Sequence, residues 1–355
     1  MGAVRVRLPI SALAAVGALL LAACSGPAEQ VRPTDPATTV PPVVVVDKAA
    51  APAPVIPPTW PLTGVEGGQE VRPAISVKIE NSRQARPQIG LEQADVVWEQ
   101  MVEGGETRFN AVFHSTIPTT VGPIRSVRPM DAAIAGPLGG MIVFSGGQGG
   151  FVQEMRDAGL QVLSNDEGAD GMYRASDRRA PHNVYGTMAD FYAADDGQRT
   201  APPPQQFVFA PTAAESSAEV AGAPASHVDA TFPAAKPSWD WDAGTGKWVR
   251  NEIGDAAISA DGVRLSATNV VIMRVDVRDT GTVDPAGAPV PETVLEGTGE
   301  VWVLGGGKAV KGTWSKGGTK DPVVLTAEDG TPILLAPGNS WVELVPNAGG
   351  NVTIS

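Results

Sequence analysis

DVVWEQMVEGGETRFNAVFHS, residues 95–115, reads as two β-strands and a turn. β-Branched and aromatic residues recur through 95–103 and 107–115, and Gly104-Gly105 between them tolerate the positive φ of a tight hairpin. Alternation puts Val97, Glu99, Met101 and Glu103 on one face of the first strand. It puts Arg108, Asn110, Val112 and His114 on one face of the second. Two acids then meet Arg108 and His114 across the hairpin, either as a cross-strand ion-pair ladder or as a catalytic constellation.

Working outward, AISVKIE (74–80) alternates as a strand, and GMIVF (140–144) is a short apolar strand running into the loop SGGQGG (145–150). Residues 151–160 have helical spacing, with Phe151, Met155 and Ala158 on one face. Strands and helices are interspersed, so residues 60–195 are expected to form an α+β or α/β domain. Residues 196–230, with Pro202-Pro203-Pro204, read as an inter-domain linker whose Ala/Ser-rich part is loosely ordered or helical. Beyond it, VVIMRVDV (270–277), EVWVL (300–304) and SWVELV (340–345) are short strands among Gly and Asp turns. Residues 231–355 therefore read as a mostly antiparallel β domain.

The first residues address the chain to a compartment. Arg5 and Arg7 precede an apolar run over 8–23, which ends in Leu21-Ala22-Ala23-Cys24 and holds the only cysteine of 355 residues. The layout is that of a secretory signal, too short for a comfortable membrane span. LAAC resembles a bacterial lipobox, where the thiol of Cys24 is acylated and becomes the mature N-terminus; the alternative is a short buried helix with an incidental cysteine. Residues 24–59 hold nine prolines and no hydrophobic period, a semi-rigid tether. The expected location is the extracytoplasmic face of the cell membrane, held by lipid at Cys24.

One cysteine, spent on the lipid, leaves none for disulfides or a thiolate metal site. The formal charge of −13 becomes −15 once the signal takes away Arg5 and Arg7 and no acid. Such a surface repels nucleic acid, so no nucleic-acid partner is expected. No cofactor is expected. Metal binding through His114, His182 and His227 is not expected either, because His227 falls in the linker.

Within this acidic chain, residues 72–182 contain ten Arg and one Lys, whereas residues 236–320 contain six Lys and four Arg. A guanidinium fork matches carboxylate and phosphate oxygens in a way an ammonium does not. The skew points either to an Arg-lined anion site or to structural ion pairs. GPIRSVRP (122–129) holds Arg125 and Arg128 in a loop constrained by two prolines. They suit an anionic ligand, or equally a lock onto Glu99 or Glu103. In RRAPHN (178–183), Arg178 and Arg179 add cations, His182 is a candidate acid or base and Asn183 a candidate oxyanion donor; a backbone-bonded turn is the alternative. The 145–150 loop can cradle a phosphate or make a plain turn, but it lacks the Gly-Lys-Ser/Thr of a P-loop. Thr313-Trp314-Ser315-Lys316 matches half of an acyl-serine pattern. Trp239, Trp241, Trp248, Trp302, Trp314 and Trp341 are either sugar-stacking or core residues.

RPAI (72–75), ARPQIGL (85–91), ADVVWE (94–99), EGGETRF (103–109), FHS (113–115), GPIRSVRP (122–129) and APHNVY (180–185) run in an order that resembles the YerB-like bacterial lipoproteins. NVV (269–271), GTWSK (312–316) and PGNSW (337–341) extend the resemblance more loosely. It implies two consecutive modules of unknown function in an exported, membrane-tethered envelope protein, and it supplies no reaction. Three functions fit. In the first, Arg108, Arg125, Arg128, Arg178, Arg179 and His182 bind an anionic wall component, peptidoglycan carboxylates or a phosphate-bearing polymer. In the second, His182, Asn183 and His114 serve a hydrolase or transferase acting on a wall polymer, with Ser115, Ser126 or Ser145 as nucleophile. In the third, the chain is a scaffold recruiting another envelope protein through its β domain.

Overall fold

The 95–115 hairpin lies in the middle of a mixed sheet. In the computed structural model, which describes residues 58–67 and 70–355, Val96–Met101 pairs antiparallel with Thr107–Phe113. Thr107–Phe113 pairs antiparallel with Ile75–Glu80, which runs parallel to Met141–Phe144, itself parallel to Gln161–Ser164. Parallel neighbours need a crossover, and helix Gly149–Asp157 supplies it between the last two. Cys24, the signal and the tether up to residue 57 lie outside the described residues.

The hairpin's other flank determines the architecture. Val96–Met101 runs parallel to Ser340–Pro346, and the sheet continues through Asn269–Val283, Gly297–Gly305, Lys308–Lys316 and Val324–Ala327. The segments read as consecutive domains thus share one sheet. The reason is burial: Ile75–Glu80, Thr107–Phe113 and Ser340–Pro346 are buried along their whole length, so each needs cover on both faces and neighbours on both sides. A second, antiparallel sheet of His227–Thr231, Pro237–Asp242, Lys247–Glu252, Asp255–Ala256 and Asn351–Ile354 packs on one face. Trp239 and Trp248 from it join Phe109, Val97 and Trp341 of the main sheet in one core. Trp239, Trp248, Trp314 and Trp341 are fully buried and therefore packing residues, whereas Trp241 and Trp302 are half-buried.

Register corrects the hairpin reading. Centring the turn on Gly104-Gly105 would set Glu99 opposite Asn110, but the observed pairs are Glu99 with Phe109 and Gln100 with Arg108. The 3₁₀ turn Glu103–Gly105 shifts the pairing by one residue, and a one-residue slip exchanges faces. Glu99 and Arg108 therefore point to opposite sides, and no Glu99–Arg108 ladder forms. Of the two readings of the Ala/Ser-rich part of residues 196–230, the helical one matches helix Ser217–Ala221, and Ala223–Pro224 then pairs with the strand Lys308–Lys316. His227 begins a strand and hydrogen bonds Asp240 at 2.6 Å rather than lying in a loose region.

Candidate functional site

The Gly-Pro-bounded loop 122–129 is stitched between two neighbours by its backbone. Arg125 N donates to Lys78 O at 2.8 Å, and Val127 N donates to Gly146 O at 3.0 Å. Ser145 N in turn donates to Arg125 O at 3.0 Å, so the glycine-rich loop lies alongside. This brings Arg108, Arg125, Arg128, Ser126 and Ser145 into one neighbourhood, with Ser126 Oγ 3.5 Å from Ser145 Oγ.

Two carboxylates organise the cations. Arg128 grips Glu103 with two guanidinium nitrogens, the longer contact at 2.7 Å, and Arg108 Nη2 lies 3.7 Å from the same carboxylate. Burial alone would raise the Glu103 carboxyl, but the hydrogen bonds and charge of Arg128 outweigh it and hold it low. Arg108 also donates to Ser126 O at 2.8 Å. Burial, then the charge of Arg128, pushes the Arg108 guanidinium down to about 9. Glu80 is the second centre: His182 Nδ1 hydrogen bonds its Oε1 at 2.8 Å, with Arg125 Nε at 3.6 Å. Glu99 takes no part in either. Three guanidiniums and one imidazole thus share two carboxylates, and Arg108 and Arg128 are the most deeply committed.

The 178–183 motif meets this cluster at the surface. Arg178 donates to Ala85 O and Pro87 O at 2.7 and 2.8 Å, joining loop 83–87 to loop 174–183. A cleft of about 380 Å³ opens there, lined by Gln84, Arg178, Arg179, Ala180 and His182. Arg83, Arg174 and Arg179 are exposed on the joined loops, and Asp177 is an acid among them. Sequence reasoning had not singled out Arg83 and Arg174; proximity to the Arg178 contacts is what recruits them. Asn183 is engaged in the turn itself, donating to Ala175 O at 2.9 Å and accepting from Arg174.

His114 lies elsewhere, edge-on to Trp60 with ring centroids 5.2 Å apart. Burial, reinforced by the Arg72 charge, pushes its imidazole down to about 4, and neither ring nitrogen has a hydrogen-bond partner among the described residues. Ser115 is occupied by Asp95. Lys316 of the acyl-serine-like stretch points its Nζ at Thr319 O and Asp321 O. Among the described residues no group of three or more His, Cys, Asp or Glu stands close enough to hold a metal ion.

Two buried clusters escaped the sequence. Asp131 Oδ1 accepts from Lys78, Gln100 and Asn110 at 2.8, 2.8 and 3.0 Å, and the Lys78 ammonium is pushed down to about 8 by burial. On the opposite face of the sheet, Arg250 donates to Glu99, Glu252 and Glu343 and sits 4.8 Å from the Trp341 ring. The signal was present as Arg250 between Trp248 and the acid of Glu252, an inward-facing charge in an alternating strand.

Residues 62–201 match the family described as "Protein of unknown function (DUF3048) N-terminal domain", and residues 228–342 match its C-terminal domain. The chain is 37% identical over 129 residues to "Putative lipoprotein YerB" of Bacillus subtilis, a match that spans 35% of this chain and 39% of that protein's length. A crystal structure of YerB protein from Bacillus subtilis shares the fold with a TM-score of 0.70 at 22% identity, covering 83% of this chain and 99% of that one. Matched in order by both halves of the family, this chain belongs to the DUF3048 proteins, a family of unknown function.

Proposed function

We propose that this protein is a lipoprotein tethered at the extracytoplasmic face of the cell membrane through Cys24, and that its basic face binds anionic groups of a cell-wall polymer. The name of the YerB relative and the LAAC sequence support the anchor. Among the described residues, no helix is long and apolar enough to cross a membrane. The observation that carries the binding half is the cleft between loops 83–87 and 174–183. There Arg178, Arg179 and His182 converge in a protein of formal charge −13. A local positive patch on an acidic surface selects an anion while the rest of the molecule repels one. Stem-peptide carboxylates and polymer phosphates both match the guanidinium fork.

Binding is favoured over hydrolysis or transfer by how the polar groups are used. His182 is bonded to Glu80, Asn183 to the backbone of its own turn, and among the described residues no hydrogen bond joins His182 to Ser115, Ser126 or Ser145. Co-sedimentation with purified wall sacculi, before and after removal of phosphate-bearing polymers, tests the reading. The protein is expected to pellet, and Arg178→Ala with Arg179→Ala is expected to lower retention about tenfold. Equal retention of a folded double variant refutes it.

A further inference from the structure

Ile75–Glu80 and Thr107–Phe113 lie side by side, and their register sets Lys78 directly opposite Asn110. Side chains of such a pair leave the sheet on one face, with Cβ atoms about 5 Å apart. Both reach the same acceptor: Lys78 Nζ and Asn110 Nδ2 donate to Asp131 Oδ1 at 2.8 and 3.0 Å. Asp131 is carried by helix Met130–Ala135, and its Oδ2 accepts from Arg128 N at 2.8 Å. One carboxylate, fixed against backbone, thus gathers an amine and a primary amide. Lys78, Asn110 and Asp131 are each 0% exposed.

The trio is incompletely satisfied as an ordinary ion pair. Among the described residues, Asn110 Oδ1 has no hydrogen-bond partner, and Lys78 Nζ makes one hydrogen bond although an ammonium has three donors. Burial accordingly pushes the Lys78 ammonium down to about 8, against the pull of Asp131. Moving one proton along the Lys78–Asp131 contact gives a neutral amine and a carboxylic acid. In a fully desolvated site that transfer removes the cost of burying two charges. The amine it leaves is a nucleophile held beside a carboxamide.

We propose that Lys78 and Asn110 are joined by an intramolecular isopeptide bond, with Asp131 as the acid–base group that forms it. Turning the Asn110 amide by about 180° about Cβ–Cγ brings its unpaired oxygen to the protonated Asp131. Lys78 Nζ adds to Asn110 Cγ while Asp131 gives its proton to that oxygen. Asp131 then takes a proton from the lysine nitrogen and passes it to Nδ2. The Cγ–Nδ2 bond breaks, ammonia leaves, and the carbonyl re-forms as its proton returns to Asp131. One C–N bond replaces another, and nothing is oxidised or reduced. Proximity is what lets so weak an electrophile react. With one cysteine the chain has no second thiol for a disulfide, and this bond ties two strands of the main sheet without one.

Peptide mass spectrometry after trypsin digestion of the full chain tests this. An acylated Lys78 resists trypsin. The peptide that contains it is expected to be joined to residues 109–125, the pair being lighter by about 17 Da through loss of ammonia. Gln100, whose Nε2 also donates to Asp131 Oδ1 at 2.8 Å, falls in the separate peptide 84–108. Asn110→Ser removes the electrophile and Asp131→Asn the acid; each is expected to restore cleavage after Lys78 and the full mass. The parent protein decides the matter whether or not the variants fold. Unlinked peptides at full mass in the parent overturn the proposal, as does a link to 84–108 or one that survives Asn110→Ser.

Discussion

Arg250 Nη2 donates to Glu99 Oε2 at 2.5 Å although the two residues are 151 positions apart in the chain. The contact crosses from one family-matched segment to the other, and both side chains are fully buried. Glu252 and Glu343 accept from the same guanidinium at 2.7 Å, while Phe109, Trp239 and Trp341 surround it. The shared sheet and this cluster tie the two segments into one body.

Removing the cation leaves three carboxylates buried without it. Arg250→Met is therefore expected to cost about 3–5 kcal/mol, as breaking one side of a buried ion cluster does. Urea unfolding followed by tryptophan fluorescence checks the loss. Both segments are expected to unfold in a single transition, since the cluster belongs to neither alone.

The same cluster makes stability depend on pH. Burial, then the Glu99 charge, raises the Glu343 carboxyl well above 4.5. A raised folded value means that its contribution is complete below 4.5 and fades as pH rises through the folded value. Glu99 is held low by Arg250 against its own burial, so its contribution is present above 4.5 and lost on acidification. Glu343→Gln is expected to abolish the decline on the alkaline side and retain the acid one. Thermal midpoints between about pH 4 and 9 read this directly, and an unchanged alkaline limb contradicts it.

Ile253 occupies φ +54 beside Gly254 at φ +83, in the two-residue connection between Lys247–Glu252 and Asp255–Ala256. Positive φ at both central positions suits Asn-Gly, and a β-branched residue there is strained. The Ile253 side chain is 64% exposed and gives little packing in return. Ile253→Asn is expected to stabilise the protein by about 1 kcal/mol, seen as a higher urea midpoint.

His114 is a packing residue here. With its imidazole pushed down to about 4 and both nitrogens unbonded among the described residues, it is neutral across the physiological range. His114→Phe is expected to change stability by less than about 1 kcal/mol, because the replacement is apolar and of similar size. It is also expected to leave retention on sacculi unaltered. A large loss of retention in a folded variant would return His114 to the site.

Local structure was legible wherever a run carried a period. The strands near residues 75, 96, 107, 141 and 340 and the helix after residue 149 stand where alternation and helical spacing put them. Faces were not legible, because Thr107–Phe113 is buried on both sides and its alternation no longer distinguishes core from solvent. The five-residue turn after Met101 then set Glu99 away from Arg108. Strand order lay beyond reach: nothing local to Ser340–Pro346 says that it inserts between Val96–Met101 and Asn269–Val283. Of the candidate cations, the Arg-for-Lys skew found a neighbourhood, but only the contacts separate Arg128, spent on Glu103, from Arg179, exposed at the cleft.

Anion binding at the basic cleft is decided by a crystal structure of the protein soaked with peptidoglycan stem peptide and with a phosphorylated wall-polymer fragment. An anionic group is expected between Arg178, Arg179 and His182, with Glu80 still holding the His182 ring. An empty cleft in crystals whose loops 83–87 and 174–183 are free of lattice contacts, at saturating fragment, would contradict it.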